Sequence, residues 1–343
     1  MSRYAIAAFV FTVIVVCSSC NNNQNSSGLI ILSNSKIEVG ILPEVGGRIV
    51  LLRKPGFKNI LKSDEKLWQN PEKQKPKVSP FSDFKAFNGH ITWVGPQKEW
   101  WLHQTLNEER KKTKVDWPPD PYLIYGQNEI INRTDTSIKM IGPESPISGV
   151  RLFKEISINS SGIVTVTTIA ENIRKENISI DLWMLTRMDG FSQTYVPIEE
   201  NGLLELVQKG TEEVEPTPYK ILDKYFTFSP ALPSKPKAEQ IQEAHLYPSV
   251  GYIAGFNNRQ VLVIRFNKLD KTIIHPDHGL VELYNYINEN GDDTLLELEV
   301  HSAYKTLSPG ETMSLTEKWE LHAYNGEANS SQQIEFLKNI NKK

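Results

Sequence analysis

Thr294-Leu-Leu-Glu297-Leu-Glu299-Val-His301-Ser-Ala-Tyr304-Lys-Thr-Leu-Ser-Pro309-Gly310-Glu311 is the stretch on which the fold turns. Its first ten residues read as a strand, whose side chains alternate between two faces. Leu296, Leu298, Val300 and Ser302 then point one way; Leu295, Glu297, Glu299, His301 and Ala303 point the other. A half-buried strand on a solvated outer face has this alternation. So does a strand that lays two carboxylates and an imidazole along a binding surface. Pro309-Gly310 supplies the turn that ends it.

The same pattern runs through the chain from Leu29. Alternating or β-branched segments predict strands over 29–32, 36–42, 48–53, 122–131, 137–141, 150–158, 163–171, 178–188, 219–228, 251–256, 261–267, 281–286, 294–303 and 313–322. Gly46-Gly47, Asn257-Asn258 and Asn290-Gly291 mark turns between them. Helical periodicity is clear only over 331–338, and weak over 63–69 and 98–109. The 20 prolines gather in intervening loops. This predicts one all-β domain over 29–325, a large antiparallel sandwich of two sheets, with a partly helical tail over 326–343.

Of the 343 residues, 39% are hydrophobic and 23% charged, enough to form a sizeable core. A net charge of −3 excludes the basic footprint of a nucleic-acid binder. Residues 1–20 read as an export signal: Arg3, an apolar run from Ala5 to Val16, then small residues before Cys20. This resembles a bacterial lipoprotein signal in which Cys20 becomes the lipidated N-terminus, although Cys17 stands where a leucine-like residue is usual. Residues 21–28 form a polar tether. The expected address is the cell envelope, with the chain held to a membrane through Cys20. Both cysteines lie in this segment, so the remaining chain has no disulfide, thiolate zinc site or cysteine nucleophile.

Three upstream stretches carry residues of the same kind as the opening one. Asn88-Gly-His90-Ile-Thr-Trp93-Val-Gly-Pro-Gln97-Lys-Glu-Trp100-Trp101 reads as a polar loop holding three of the seven tryptophans. Indole faces beside amide and imidazole groups suit a sugar, whose C–H faces stack while its hydroxyls hydrogen-bond. The structural alternative is that these tryptophans cap the core. Asp181, Trp183, Leu185 and Arg187 share a face of another strand; Trp183 and Arg187 suit a ligand, and Asp181 reads as a rim charge. Glu282, Tyr284 and Tyr286 share a third face, just after His275-Pro-Asp277-His278. That His-x-x-His lacks both helical spacing and a marked third ligand, so no metal or cofactor is assigned.

With these stretches in hand, residues 28–324 resemble the galactose-mutarotase-like superfamily, and within it a family of bacterial lipoproteins whose domain has no assigned function. The marks are Ile37-Glu-Val-Gly-Ile-Leu-Pro43-Glu-Val-Gly46-Gly47-Arg48-Ile49, the 88–101 stretch, Trp117-Pro-Pro-Asp-Pro-Tyr-Leu-Ile-Tyr-Gly126 and Gly142-Pro-Glu-Ser-Pro-Ile-Ser-Gly149. The resemblance implies a β-supersandwich and puts Glu297 in the place of the aldose-epimerase base, with Glu299 as a neighbouring contact and no counterpart for His301. Those enzymes carry a mid-chain histidine acid, and the matching region, Asp181–Arg187, has none. His90 or His275 is then the expected acid. The expected saccharide contacts are Trp93, Gln97, Trp100, Trp101, Trp183, Arg187, Glu282, Tyr284 and Glu299. The alternative is a glycan-binding lipoprotein without catalysis.

Overall fold

A computed structural model describes residues 28–207 and 214–342. The expected signal, the tether up to Ser27 and Cys20 lie outside the described residues. In chain order the strands are β1 (Ile30–Ser33), β2 (Glu38–Leu42), β3 (Arg48–Arg53), β4 (His90–Gly95), β5 (Glu129–Arg133), β6 (Ser137–Glu144), β7 (Val150–Ile158), β8 (Val164–Asn172), β9 (Ile178–Met188) and β10 (Gln193–Val207). They continue as β11 (Val214–Glu215), β12 (Tyr219–Leu222), β13 (Tyr225–Phe228), β14 (Glu239–Pro248), β15 (Tyr252–Asn257), β16 (Gln260–Arg265), β17 (Val281–Ile287), β18 (Thr294–His301), β19 (Lys305–Leu307) and β20 (Thr312–Ala323).

Two antiparallel layers result. The first runs β1-β2-β3-β4-β9-β18-β17-β14-β10. The second runs β5-β6-β7-β8-β20-β16-β15-β10. β10 serves both, pairing with β15 through Gln193–Tyr195 and with β14 from Ile198 onward. The short β11 pairs parallel with β14, an exception among these ladders.

Alternation fills the space between the layers. Leu296, Leu298 and Val300 of β18 join Leu182 and Met184 of β9, and the second layer answers with Leu152, Val166, Leu262 and Leu315. Each such side chain contributes roughly 1.5–3 kcal/mol by leaving water. A second apolar group, including Val50, Phe87, Ile91, Trp93, Trp101 and Leu185, covers part of the other face of the first layer. The long excursions after β3 and β4 therefore fold over a face that alternation alone would leave in water. In the expected tail, Ser330–Ile340 is a helix; Ile334 and Leu337 pack with Tyr195 and Phe256, and Gln333 accepts a hydrogen bond from the Tyr195 hydroxyl at 2.6 Å.

Several segments differ from expectation, the unpredicted strands β10 and β14 among them. Pro121–Tyr125 is a short helix, not the start of a strand: the Asp120 carboxylate accepts the Tyr122 N–H at 2.9 Å and Pro121 takes the first helical turn. Residues 90–95, expected in a loop, form the buried strand β4. The left-handed Asn88 (φ 55°) and Gly89 (φ 71°) make the bend before it, where a Cβ on Gly89 would stand 2.2 Å from the Ile49 carbonyl oxygen.

The interior also holds polar groups. Glu317 of β20 is fully buried; one oxygen accepts from Trp319 Nε1 at 2.7 Å and Oε1 has no hydrogen-bond partner among the described residues. Burial outweighs that hydrogen bond and pushes its pKa up to about 7. The folded state keeps a proton that the unfolded chain releases near 4.5. Stability contributed at this site therefore falls as pH rises from about 4.5 to about 7 and then levels off. Against Glu317→Gln, the native protein is expected to lose about 3 kcal/mol across that window in denaturant unfolding. Parallel pH profiles for the two proteins would contradict it.

Candidate functional site

Strand register lays out the site on the outer face of the first layer. Across β14, β17, β18 and β9, Glu243, Tyr284, Glu297 and Arg187 stand opposite one another. Two residues along, His245, Glu282, Glu299 and Leu185 form the next row. Two further along, His301, Trp183 of β9 and Trp93 of β4 form a third. Equal parity puts all three rows on one face, at cross-strand spacings that bring side chains into contact. Above them lies a groove of about 700 Å³, walled by Phe84, Trp117 and the loop carrying Asp277 and His278. Lys98 Nζ meets Asp277 Oδ2 at 3.0 Å, joining two of the covering loops.

On the groove floor, Arg187 Nε donates to Glu297 Oε1 at 2.7 Å while its guanidinium lies 5.2 Å from the Trp93 ring. Trp183 Nε1 donates to Glu299 Oε2 at 2.5 Å. Burial, reinforced by the charges of Glu297, Glu282 and Glu243, pushes the Glu299 carboxyl well above the usual range. Beside it an ionic chain crosses three strands. Asp181 Oδ2 accepts from His301 Nδ1 at 2.7 Å and stands 3.3 Å from His278 Nδ1, and His301 Nε2 lies 3.5 Å from Glu282 Oε2. Burial opposes the charge on each of these groups, but the mutual attractions prevail. His301 rises to about 10, Glu282 falls to about 2, and Asp181 is held far below the ordinary carboxylate range. His245 bonds Glu243 through Nε2 at 2.7 Å and approaches Glu282 Oε1 to 3.7 Å. Potential metal-ligating atoms approach within 4.8 Å in three sets, Asp181/His278/His301, Glu243/His245/Glu282 and Glu282/Glu299/His301.

Eight of the residues named from the sequence line the groove: Trp93, Gln97, Trp183, Arg187, Glu282, Tyr284, Glu297 and Glu299. Four do not. His90 faces the opposite side of β4 from Trp93, between the sheets; its Nδ1 meets Thr186 Oγ1 at 2.9 Å and its ring packs on Trp319. Burial, then the charges of Lys154, Arg187 and Arg48, holds it well below its usual pKa, so it is neutral and remote from the groove. His275 packs against Tyr304 and His278 rather than lining the groove. Trp101 is core: it is fully buried, its Nε1 bonds the Pro118 carbonyl at 2.8 Å, and Arg110 covers its ring. Trp100 donates to the Val94 carbonyl at 2.6 Å and lines a separate cavity of about 400 Å³. Two assignments reverse the other way: Asp181 is no rim charge but fully buried, and His301 lies at the centre of the ionic chain.

The groove also takes residues that the sequence reading passed over. Trp117 stood only within a family mark, and Phe84 packs edge-on to it at 4.7 Å. Glu243 and His245 lie on β14, which has an alternating pattern but places Gln240 and Gln242 on its inward face. Those polar residues hide the strand period; Gln242 Nε2 satisfies the Val207 carbonyl at 3.0 Å.

The Arg187–Glu297 pair should couple in stability. Replacing Arg187 by Met leaves the half-covered Glu297 carboxylate without its cation and is expected to cost about 3 kcal/mol in denaturant unfolding. Adding Glu297→Leu should recover more than half of that loss. Additive losses would show that the pair is not coupled.

The model of the family described as Domain of unknown function (DUF4380) matches residues 28–322. No curated protein sequence matches the chain. Among solved structures, a candidate aldose 1-epimerase from Klebsiella pneumoniae superposes with a TM-score of 0.54 at 11% identity, covering 90% of this chain and 82% of its own. The Slr1438 protein of Synechocystis gives 0.51 at 11%, covering 86% and 96%. A galactose mutarotase-like protein from Clostridium acetobutylicum gives 0.50 at 14%, covering 86% and 95%. At these identities the likeness is one of fold. The chain belongs to the DUF4380 family and has a galactose mutarotase-like fold.

Proposed function

We propose that this chain is an exported lipoprotein that binds a saccharide in the groove and acts on it as an aldose-epimerase-like enzyme with Glu297 as base. The carrying observation is the position of Glu297 on the groove floor, between Tyr284 and Arg187 and under the walls of Trp93, Trp117 and Phe84. Indole and phenyl faces offer stacking surfaces for pyranose C–H groups, and the charged floor offers partners for hydroxyls.

In this reading Glu297 takes the proton of the anomeric hydroxyl. The ring C–O bond breaks as the C=O forms, and the ring oxygen takes a proton from an acid; rotation and the reverse steps give the other anomer. Neither His90 nor His275 lines the groove, so the acid is His278. Its imidazole lines the groove while Asp181 holds it through Nδ1, a carboxylate–imidazole arrangement that fixes the ring for proton transfer. One observation favours a binding-only alternative. Arg187 already occupies an oxygen of Glu297, as it would in a floor built to hold hydroxyls.

A glycan-array screen of the full-length protein identifies the sugar. Trp117→Ala should weaken its binding about tenfold or more. NMR of the bound sugar should show accelerated anomer exchange that drops at least about 100-fold in Glu297→Gln, with affinity little changed. A sugar that binds but is never interconverted faster than in buffer would remove the enzymatic reading and leave the binding one. For the anchor, metabolic palmitate labelling should disappear in Cys20→Ser; persistent labelling would contradict it.

A further inference from the structure

We propose that Glu282, Glu299 and His301 form a site for one divalent transition-metal ion, of the zinc class, at the floor of the groove. Two neighbouring strands contribute to it, β17 with Glu282 and β18 with Glu299 and His301, and each side chain keeps one donor atom after its outer contacts are counted. Asp181 accepts from His301 Nδ1 at 2.7 Å, which leaves Nε2. The Gly279 N–H donates to Glu282 Oε1 at 3.0 Å, which leaves Oε2. The Trp183 indole donates to Glu299 Oε2, which leaves Oε1. Supporting partners of these kinds orient the ligands of metal sites: a carboxylate behind the histidine and a hydrogen bond on each ligating carboxylate.

A second observation points at the same place. His301 is fully buried, yet among the described residues its Nε2 has no hydrogen-bond partner. Glu282 Oε2 stands 3.5 Å away. Ligand atoms about 2.1 Å from a tetrahedral ion lie about 3.4 Å apart, so this gap fits an ion better than a hydrogen bond. Donor atoms of all three residues lie within 4.8 Å of one another. One imidazole and two carboxylates make a mixed nitrogen–oxygen set, which suits zinc and its neighbours better than calcium, which takes six or more oxygens. Glu282 and Glu299 line the groove, so a fourth position would open to it, where a water or a ligand hydroxyl could bind.

The site does not depend on the saccharide reading and can be tested without a sugar. After chelator treatment, the full-length protein should bind ZnCl2 by calorimetry with one site per chain and a Kd of about 1 μM or tighter. Saturating zinc should also raise Tm, and cobalt(II) should give the visible absorption of a low-symmetry site. His301→Gln and Glu282→Gln should each weaken binding at least about 100-fold, and Asp181→Asn about 10-fold, as an outer partner does. His245→Gln should leave it within a few-fold. Absence of stoichiometric zinc binding by the native protein would overturn the proposal, whatever the variants do. So would equal affinity for CaCl2, or loss of binding in His245→Gln with retention in His301→Gln.

Discussion

Asp181, His301 and Glu282 hold one another across three neighbouring strands, and the outer face of the first sheet is organised around that contact. Each group is almost wholly removed from water. An isolated charge there would carry a desolvation penalty of several kcal/mol, so none of the three is tolerable alone. Together they alternate in sign, with a 2.7 Å bond on one side of the imidazole and a 3.5 Å approach on the other. The looser side of this chain faces Glu299, a carboxyl whose neighbours already carry negative charge. The floor is therefore electrostatically asymmetric: tightly neutralised towards Asp181, and by Arg187 at Glu297, but short of positive charge at Glu299.

Apolar cover makes this arrangement possible. Trp183 stacks on His301 with ring centroids 5.0 Å apart and also donates to Glu299. Trp93 packs edge-on to Trp183 at 5.1 Å, and Trp100 and Trp117 extend the cluster. Excluding water from these carboxylates strengthens every interaction among them. The tryptophans of the 88–101 stretch thus divide their roles. Trp93 faces the groove, Trp100 shields the cluster from behind, and Trp101 belongs to the core.

Much of the fold was legible because burial writes a period of two into a strand. The strands 48–53, 150–158 and 178–188 appear with the bounds their alternation predicts. β4 was misread because both of its faces are buried, so His90 and Thr92 stand inward where apolar residues would have revealed the strand; Thr92 instead bonds Thr168 across the layers at 2.8 Å. β14 was missed for the same reason, through Gln240 and Gln242. In both cases a polar residue satisfied inside the protein carries the same letter as one satisfied by water.

For the opening strand the division is clear. Its sequence alone determined that Leu296, Leu298 and Val300 face the core and that Glu297, Glu299 and His301 share the other side, because alternation is a property of the extended backbone. Whether that side meets water, and which strands flank it, depends on pairing and on loops distant in the chain. Only the tertiary structure put Arg187 beside Glu297, Glu282 beside Glu299 and Asp181 behind His301. The same packing turned His90 away and brought His278 in. Local sequence sets the direction of a side chain, whereas the fold sets its neighbours, and the chemistry of a carboxylate or an imidazole depends on those neighbours.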